Sequence, residues 1–115
     1  MRVFAVAGLG FACAISAAQA AMTNDMDLIY GKYQMAIRAA QLCRDAPDTD
    51  AAWRKWSSYI DKKTHYELGA GERLSILEGV KGDVTYMVRR QGCDSDAVKD
   101  LLQLYDAELA ALITE

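Results

Sequence analysis

The chain has 115 residues, 52% of them apolar, with 13 bases against 16 acids, which suits one small domain and no more. Its net charge of −3 excludes the concentrated basic surface that nucleic-acid binding needs. A single proline and a single histidine, with no alternating apolar pattern, leave little for β-turns, strands or histidine chemistry.

The first element is a leader. Arg2 gives a positive start, Val3 to Ala17 form an apolar Ala-rich core, and Ala18-Gln19-Ala20 is a small-x-small cleavage site. This is the anatomy of a secretory signal peptide over residues 1–20. The rival, a membrane anchor, needs roughly 20 apolar residues, and this stretch is shorter and broken by Gly8 and Gly10. A lipoprotein site at Cys13 is weaker, because Gly10 and Phe11 occupy the positions before it that should be Leu-like and small. The expected mature domain is 21–115. Without Arg2, twelve bases stand against the sixteen acids, a net −4. The expected location is the periplasm, and no later segment is long and apolar enough to span a membrane.

Cys43 and Cys93 remain as an even pair in an oxidising compartment, which predicts one disulfide. Closing a loop of about 50 residues would stabilise the domain by on the order of 4 kcal/mol on the chain-entropy argument. Redox or metal chemistry is the alternative, but there is no C-x-x-C pair, and two distant thiols with His65 do not make a metal site.

Four helices follow. The first runs from a cap at Thr23 or Asn24 to about Arg44, with Ile29, Tyr33, Ile37, Ala40 and Cys43 on one face. Ala46-Pro47-Asp48-Thr49 is the first loop, where Pro47 ends the first helix and an Asp or Thr caps the second, which runs from about Asp50 to Tyr66 or Leu68 with Ala52, Trp53, Trp56, Ile60 and Thr64 inward. Gly69-Ala70-Gly71 reads as a loop. The third helix spans about Glu72 to Gln91, with Leu74, Leu77, Val80, Val84, Met87 and Val88 inward and Gly92 as its C-terminal cap. Within it, Gly79 and Gly82 point to close packing, a kink, or a groove. The fourth runs from a cap within Cys93 to Asp96 to about Ile113, with Val98, Leu101, Leu102, Tyr105, Leu109 and Leu112 inward. Acids at helix starts and bases at the ends of the first three complement the helix dipoles. The expected architecture is an all-α, up-down-up-down four-helix bundle. In that order the first and third connections share one end, where Cys43 and Cys93 staple them.

Catalytic constellations are scarce. His65 stands near a helix C-terminus, where it is a favourable dipole partner. No nucleophile elbow, zinc motif, haem attachment or phosphate loop occurs. Asp48-Thr49-Asp50 and Asp94-Ser95-Asp96 fail the calcium-loop pattern and read as caps. Asp106 and Glu108, two apart on a helix, point to different sides. The sequence therefore predicts neither an enzyme nor a cofactor or metal site. The remaining candidate is an aromatic and basic stretch comprising Trp53, Arg54, Trp56, Tyr59, Lys62, Lys63 and Tyr66. Trp, Tyr and Arg are the residue types enriched at interface centres, whereas the bland alternative makes both tryptophans core and the bases a solvated face. Cys93 to Glu115 carries a net −5, an opposite pole that could steer association. The expectation is a non-enzymatic domain that binds another protein of the periplasm or cell envelope, of inhibitor, immunity or adaptor type. The alternatives are a periplasmic stress chaperone or a small-ligand site inside the bundle.

Overall fold

The computed structural model describes residues 25–114. The leader at residues 1–20 and the cap at Thr23 or Asn24 lie outside the described residues. Four α-helices follow in order: α1 (Asp25–Arg44), α2 (Asp50–Lys63), α3 (Ala70–Gln91) and α4 (Asp96–Leu104). A π-helical segment (Tyr105–Leu109) and a 3₁₀ turn (Ala110–Ile113) continue α4. The all-α fold with its Cys43–Cys93 disulfide is as the sequence predicts, with the two Cα atoms 5.9 Å apart.

Polar side chains start the helices. The Thr49 hydroxyl accepts from the Ala52 N–H and the Ser95 hydroxyl from the Val98 N–H, each satisfying a donor that the helix leaves open. Glu72 turns back to accept from the Gly69 N–H at 3.2 Å. The Gly69-Ala70-Gly71 loop is therefore shorter than expected, with α3 already begun at Ala70. Gly92 ends α3 at φ 85°, a conformation that L side chains resist.

Pairings along the helices are compatible with an up-down-up-down order. Tyr33 faces Tyr59 and Gln41 reaches Pro47, so α1 and α2 run in opposite senses. Arg38 meets Thr85 and Cys43 meets Cys93, so α1 and α3 run in the same sense. Trp56 packs on Tyr105 while Tyr59 meets Glu108, which gives α2 the same sense as the fourth segment.

Helix α1 packs against all three other helices. Its buried surface is therefore wider than the single stripe expected, and includes Tyr30, Gly31, Gln34, Ala36 and Ala39. The small residues among these let neighbouring helices approach closely. In α3 the inward series is Ile76, Val80 and Val84 at steps of four, with Gly79 also buried. Leu74, expected inward, is 57% exposed, because it lies two residues from Ile76 and thus about 200° round the helix. Helix α3 continues without a break through Gly79 and Gly82.

Two helix ends differ from expectation. Helix α2 stops at Lys63, short of Tyr66 or Leu68, and His65 and Tyr66 both adopt φ 57°. Left-handed backbone costs a side-chain-bearing residue roughly 1–2 kcal/mol, here offset by Tyr66 N–H to Asp61 O at 2.8 Å and Glu67 N–H to Thr64 O at 3.1 Å. The fourth α-helix stops at Leu104, short of Ile113. From there Ala110 N–H bonds five residues back to Tyr105, the one-residue slip of a π-bulge.

Candidate functional site

Trp53 is the pivot of the candidate surface. It sits in the first turn of α2, half-buried, and its indole N–H donates to Asp48 Oδ1 at 2.5 Å. Its ring meets Trp56 edge to face, with centroids 5.2 Å apart. Trp56 is fully buried, packs on Tyr105 and donates to the Leu109 carbonyl at 3.1 Å. The two tryptophans thus divide, Trp56 into the core and Trp53 at the surface, held in one pose by Asp48 and its neighbour.

Depressions flank Trp53 on both sides. The inner one is a cleft of about 230 Å³ between α1, the start of α2 and α3. Gln34, Arg38 and Gln41 line it from α1, Leu77, Val80 and Lys81 from α3, and Asp48 with Trp53 from the α2 side. Arg38 Nη2 donates to Thr85 Oγ1 at 3.4 Å, and Gln41 donates to the Pro47 carbonyl at 3.2 Å. Gln34 is only 4% exposed. Its Oε1, like the buried Nε of Arg38, has no hydrogen-bond partner among the described residues. The outer depression is more open, and Trp53, Arg54, Asp61 and Tyr66 rim it around Ser57 and Ser58.

The predicted aromatic and basic stretch is therefore not one surface. Trp53, Arg54 and Tyr66 share the outer depression. Lys62 is exposed on α2. Trp56 is a core residue and offers no surface to a partner. Tyr59 and Lys63 are turned towards Glu108 on the π-helical segment. The hydroxyls of Tyr33 and Tyr59 both donate to Glu108 Oε1, at 2.5 and 2.6 Å, and Lys63 Nζ lies 4.0 Å from the same oxygen. The two hydroxyls hold the Glu108 carboxyl below its ordinary value of 4.5, against the opposing effect of burial. Burial, then the bond to this carboxylate, pushes both tyrosines up.

Sequence reasoning missed Glu108, Gln34 and Arg38. Glu108 flanks the buried Tyr105–Leu109 stripe, the one local sign that it could reach inward. Gln34 and Arg38 carry no such sign, since nothing local marks a polar pair one turn apart as buried. Among the described residues no cluster of three or more His, Cys, Asp or Glu side chains is placed to hold a metal ion, and no helix is long and apolar enough to cross a membrane. No protein-family model, curated protein or solved structure matches the chain.

Proposed function

We propose that this chain is a non-enzymatic binding protein that engages a partner protein through the rim formed by Trp53, Arg54 and Tyr66. The observation that carries this reading is the presentation of Tyr66. Its side chain is 68% exposed on two successive left-handed residues, where glycine would cost less. Strain at a surface position persists where the surrounding structure enforces it, and such strain concentrates at functional sites. An exposed tyrosine beside a rigid tryptophan and an arginine has the composition of an interface centre. On the reading of residues 1–20 as a cleaved leader, the partner belongs to the periplasm or cell envelope, and the protein acts as an inhibitor, immunity protein or adaptor.

The test is capture from envelope extract on the oxidised protein, run beside Tyr66→Gly, followed by calorimetry with the purified partner. Tyr66→Gly relieves the backbone strain, so loss of binding cannot be assigned to a loss of folding. One stoichiometric partner held by the wild type and weakened at least about tenfold by the variant is the expected result. Equal capture by both forms would overturn the assigned rim. A broad set of weak clients would favour a chaperone instead.

A further inference from the structure

We infer that residues 106–113 form an acid-released latch: protonating Glu108 unfastens this segment from α1 and α2 while the disulfide-closed remainder stays folded. The inference stands apart from the protein-binding reading, since it does not involve the Tyr66 rim.

The segment is lightly held. Of residues 106–113 only Leu109 is fully buried. Regular α-helix ends at Leu104, and π and 3₁₀ turns carry the chain on. The segment also lies outside the loop that the Cys43–Cys93 bridge closes. Regions with few buried apolar contacts open at lower cost than the core. Three polar ties oppose opening. The Trp56 indole N–H donates to the Leu109 carbonyl at 3.1 Å. Asp106 pairs with Arg44, but both side chains are about half exposed, where an ion pair is worth little. The third tie is Glu108, which joins the segment to α1 and α2 at one atom.

That tie depends on charge. The groups facing Glu108 are Tyr33 from α1 and Tyr59 and Lys63 from α2. A proton on the carboxyl removes its attraction for Lys63 and leaves neutral hydrogen bonds, about half as strong as charge-assisted ones. It also adds a third O–H donor beside two that already share one oxygen. The two phenols, pushed up by burial, stay protonated, so acid acts on the cluster through its carboxyl. Glu108 is held below its ordinary 4.5 by these donors when the latch is closed, and returns to it when the latch is open. The opening equilibrium therefore rises as pH falls below about 4.5, by up to about tenfold per pH unit, and levels off below the closed-state value.

The experiment is hydrogen exchange, read by NMR on the ¹⁵N-labelled oxidised protein between pH 7 and pH 3. The reporters are the Trp56 indole N–H, bonded to the Leu109 carbonyl, and the Ala110 amide, bonded to the Tyr105 carbonyl. A released segment this short keeps no helix, so both lose protection on opening. Protection at both is expected to fall by up to about tenfold per pH unit below 4.5, with no matching fall at the Ile37 amide in α1 or the Val84 amide in α3. Glu108→Gln, which fixes the neutral state, is expected to lower protection of the reporters at pH 7 and to flatten its dependence on pH. Tyr33→Phe/Tyr59→Phe, which keeps the carboxylate and removes both donors, is expected to do the same, and serves if Glu108→Gln does not fold. Parallel loss at all four sites would overturn the latch, by showing that the domain unfolds as one unit. Reporter protection that does not change with pH would overturn it too, as would the wild-type profile persisting in the variants.

Discussion

The rings of Tyr33 and Tyr59 meet edge to face, 5.8 Å between centroids, and both hydroxyls donate to the same oxygen of Glu108. Three segments, α1, α2 and the π-helical segment, are thereby joined at one carboxylate. Hydrogen bonds to an ionised acceptor are roughly twice as strong as neutral ones. The cluster is strongest while Glu108 is charged, because protonation weakens the oxygen that accepts both hydroxyls.

Acid sensitivity follows. The folded-state value of Glu108 is depressed, so its contribution is present above the unfolded value near 4.5 and is lost as pH falls through the lower folded value. Urea midpoints of the wild type should fall from pH 5 towards pH 3. In Glu108→Gln the midpoint at pH 7 should already be lower, and the acid-dependent drop smaller. Parallel curves for the two proteins would show that the cluster does not supply this dependence. Tyr33→Phe and Tyr59→Phe should each cost about 1 kcal/mol, less than additively in the double variant, since each hydroxyl helps to fix the carboxylate for the other.

Reduction should be costly. The disulfide closes a 50-residue loop that contains all of α2 and α3. Removing the cross-link should lower stability by on the order of 4 kcal/mol, a large part of what a domain this small possesses. Chemical denaturation of the oxidised protein and of the Cys43→Ser/Cys93→Ser variant measures this. Coincident transitions would mean that packing alone fixes the ends of α1 and α3.

Much of this fold was legible because its signals are local. Thr49 and Ser95 announce helix starts through side chains three residues from the N–H groups they cap, and Gly92 announces a stop through its own backbone. The cysteine pair is legible through chemistry, since an even pair of thiols behind a stretch that reads as a secretory leader is expected to join. What was not legible depends on tertiary context. Leu74 and Ile76 are both apolar, and only the position of α1 decides which faces the core. The π-bulge, one turn in which Ala110 bonds five residues back to Tyr105, has no local signal in the sequence. Glu108 is 49 residues from Tyr59 and 75 from Tyr33, so no spacing rule brings the three together. Trp53 and Trp56 lie three apart, near neighbours on a helix, yet Trp56 is core and Trp53 is half-buried, a division that helical spacing alone does not give.

That division predicts distinct optical behaviour. Trp56→Phe leaves Trp53 as the sole tryptophan, and its emission should be readily quenched by acrylamide. Trp53→Phe leaves Trp56, whose emission should be blue-shifted and shielded. The stability costs should run the other way. Trp56→Phe vacates volume and strips the buried Leu109 carbonyl of its donor, at about 1–3 kcal/mol, whereas Trp53→Phe keeps the edge contact and loses only the bond to Asp48, at about 1 kcal/mol or less. Similar quenching of the two variants would contradict the burial of Trp56.

The glycines give a final contrast of sign. A Cβ added at Gly82 meets nothing within 4 Å, and the residue lies in the middle of an unbroken α3. Gly82→Ala should therefore stabilise the protein by about 0.5–1 kcal/mol, by restricting the unfolded chain and favouring the helix. Gly92 is equally unobstructed, but its φ of +85° is a conformation that alanine resists. Gly92→Ala should destabilise by about 1 kcal/mol or more, beside Cys93 at the stapled end of the bundle. Thermal melts of the two variants decide the matter, because steric space is the same at both sites and only backbone conformation differs. Opposite shifts in Tm would show that conformation, rather than packing, explains why glycine occupies position 92. Stabilisation by both would place the end of α3 in an ordinary helical cap.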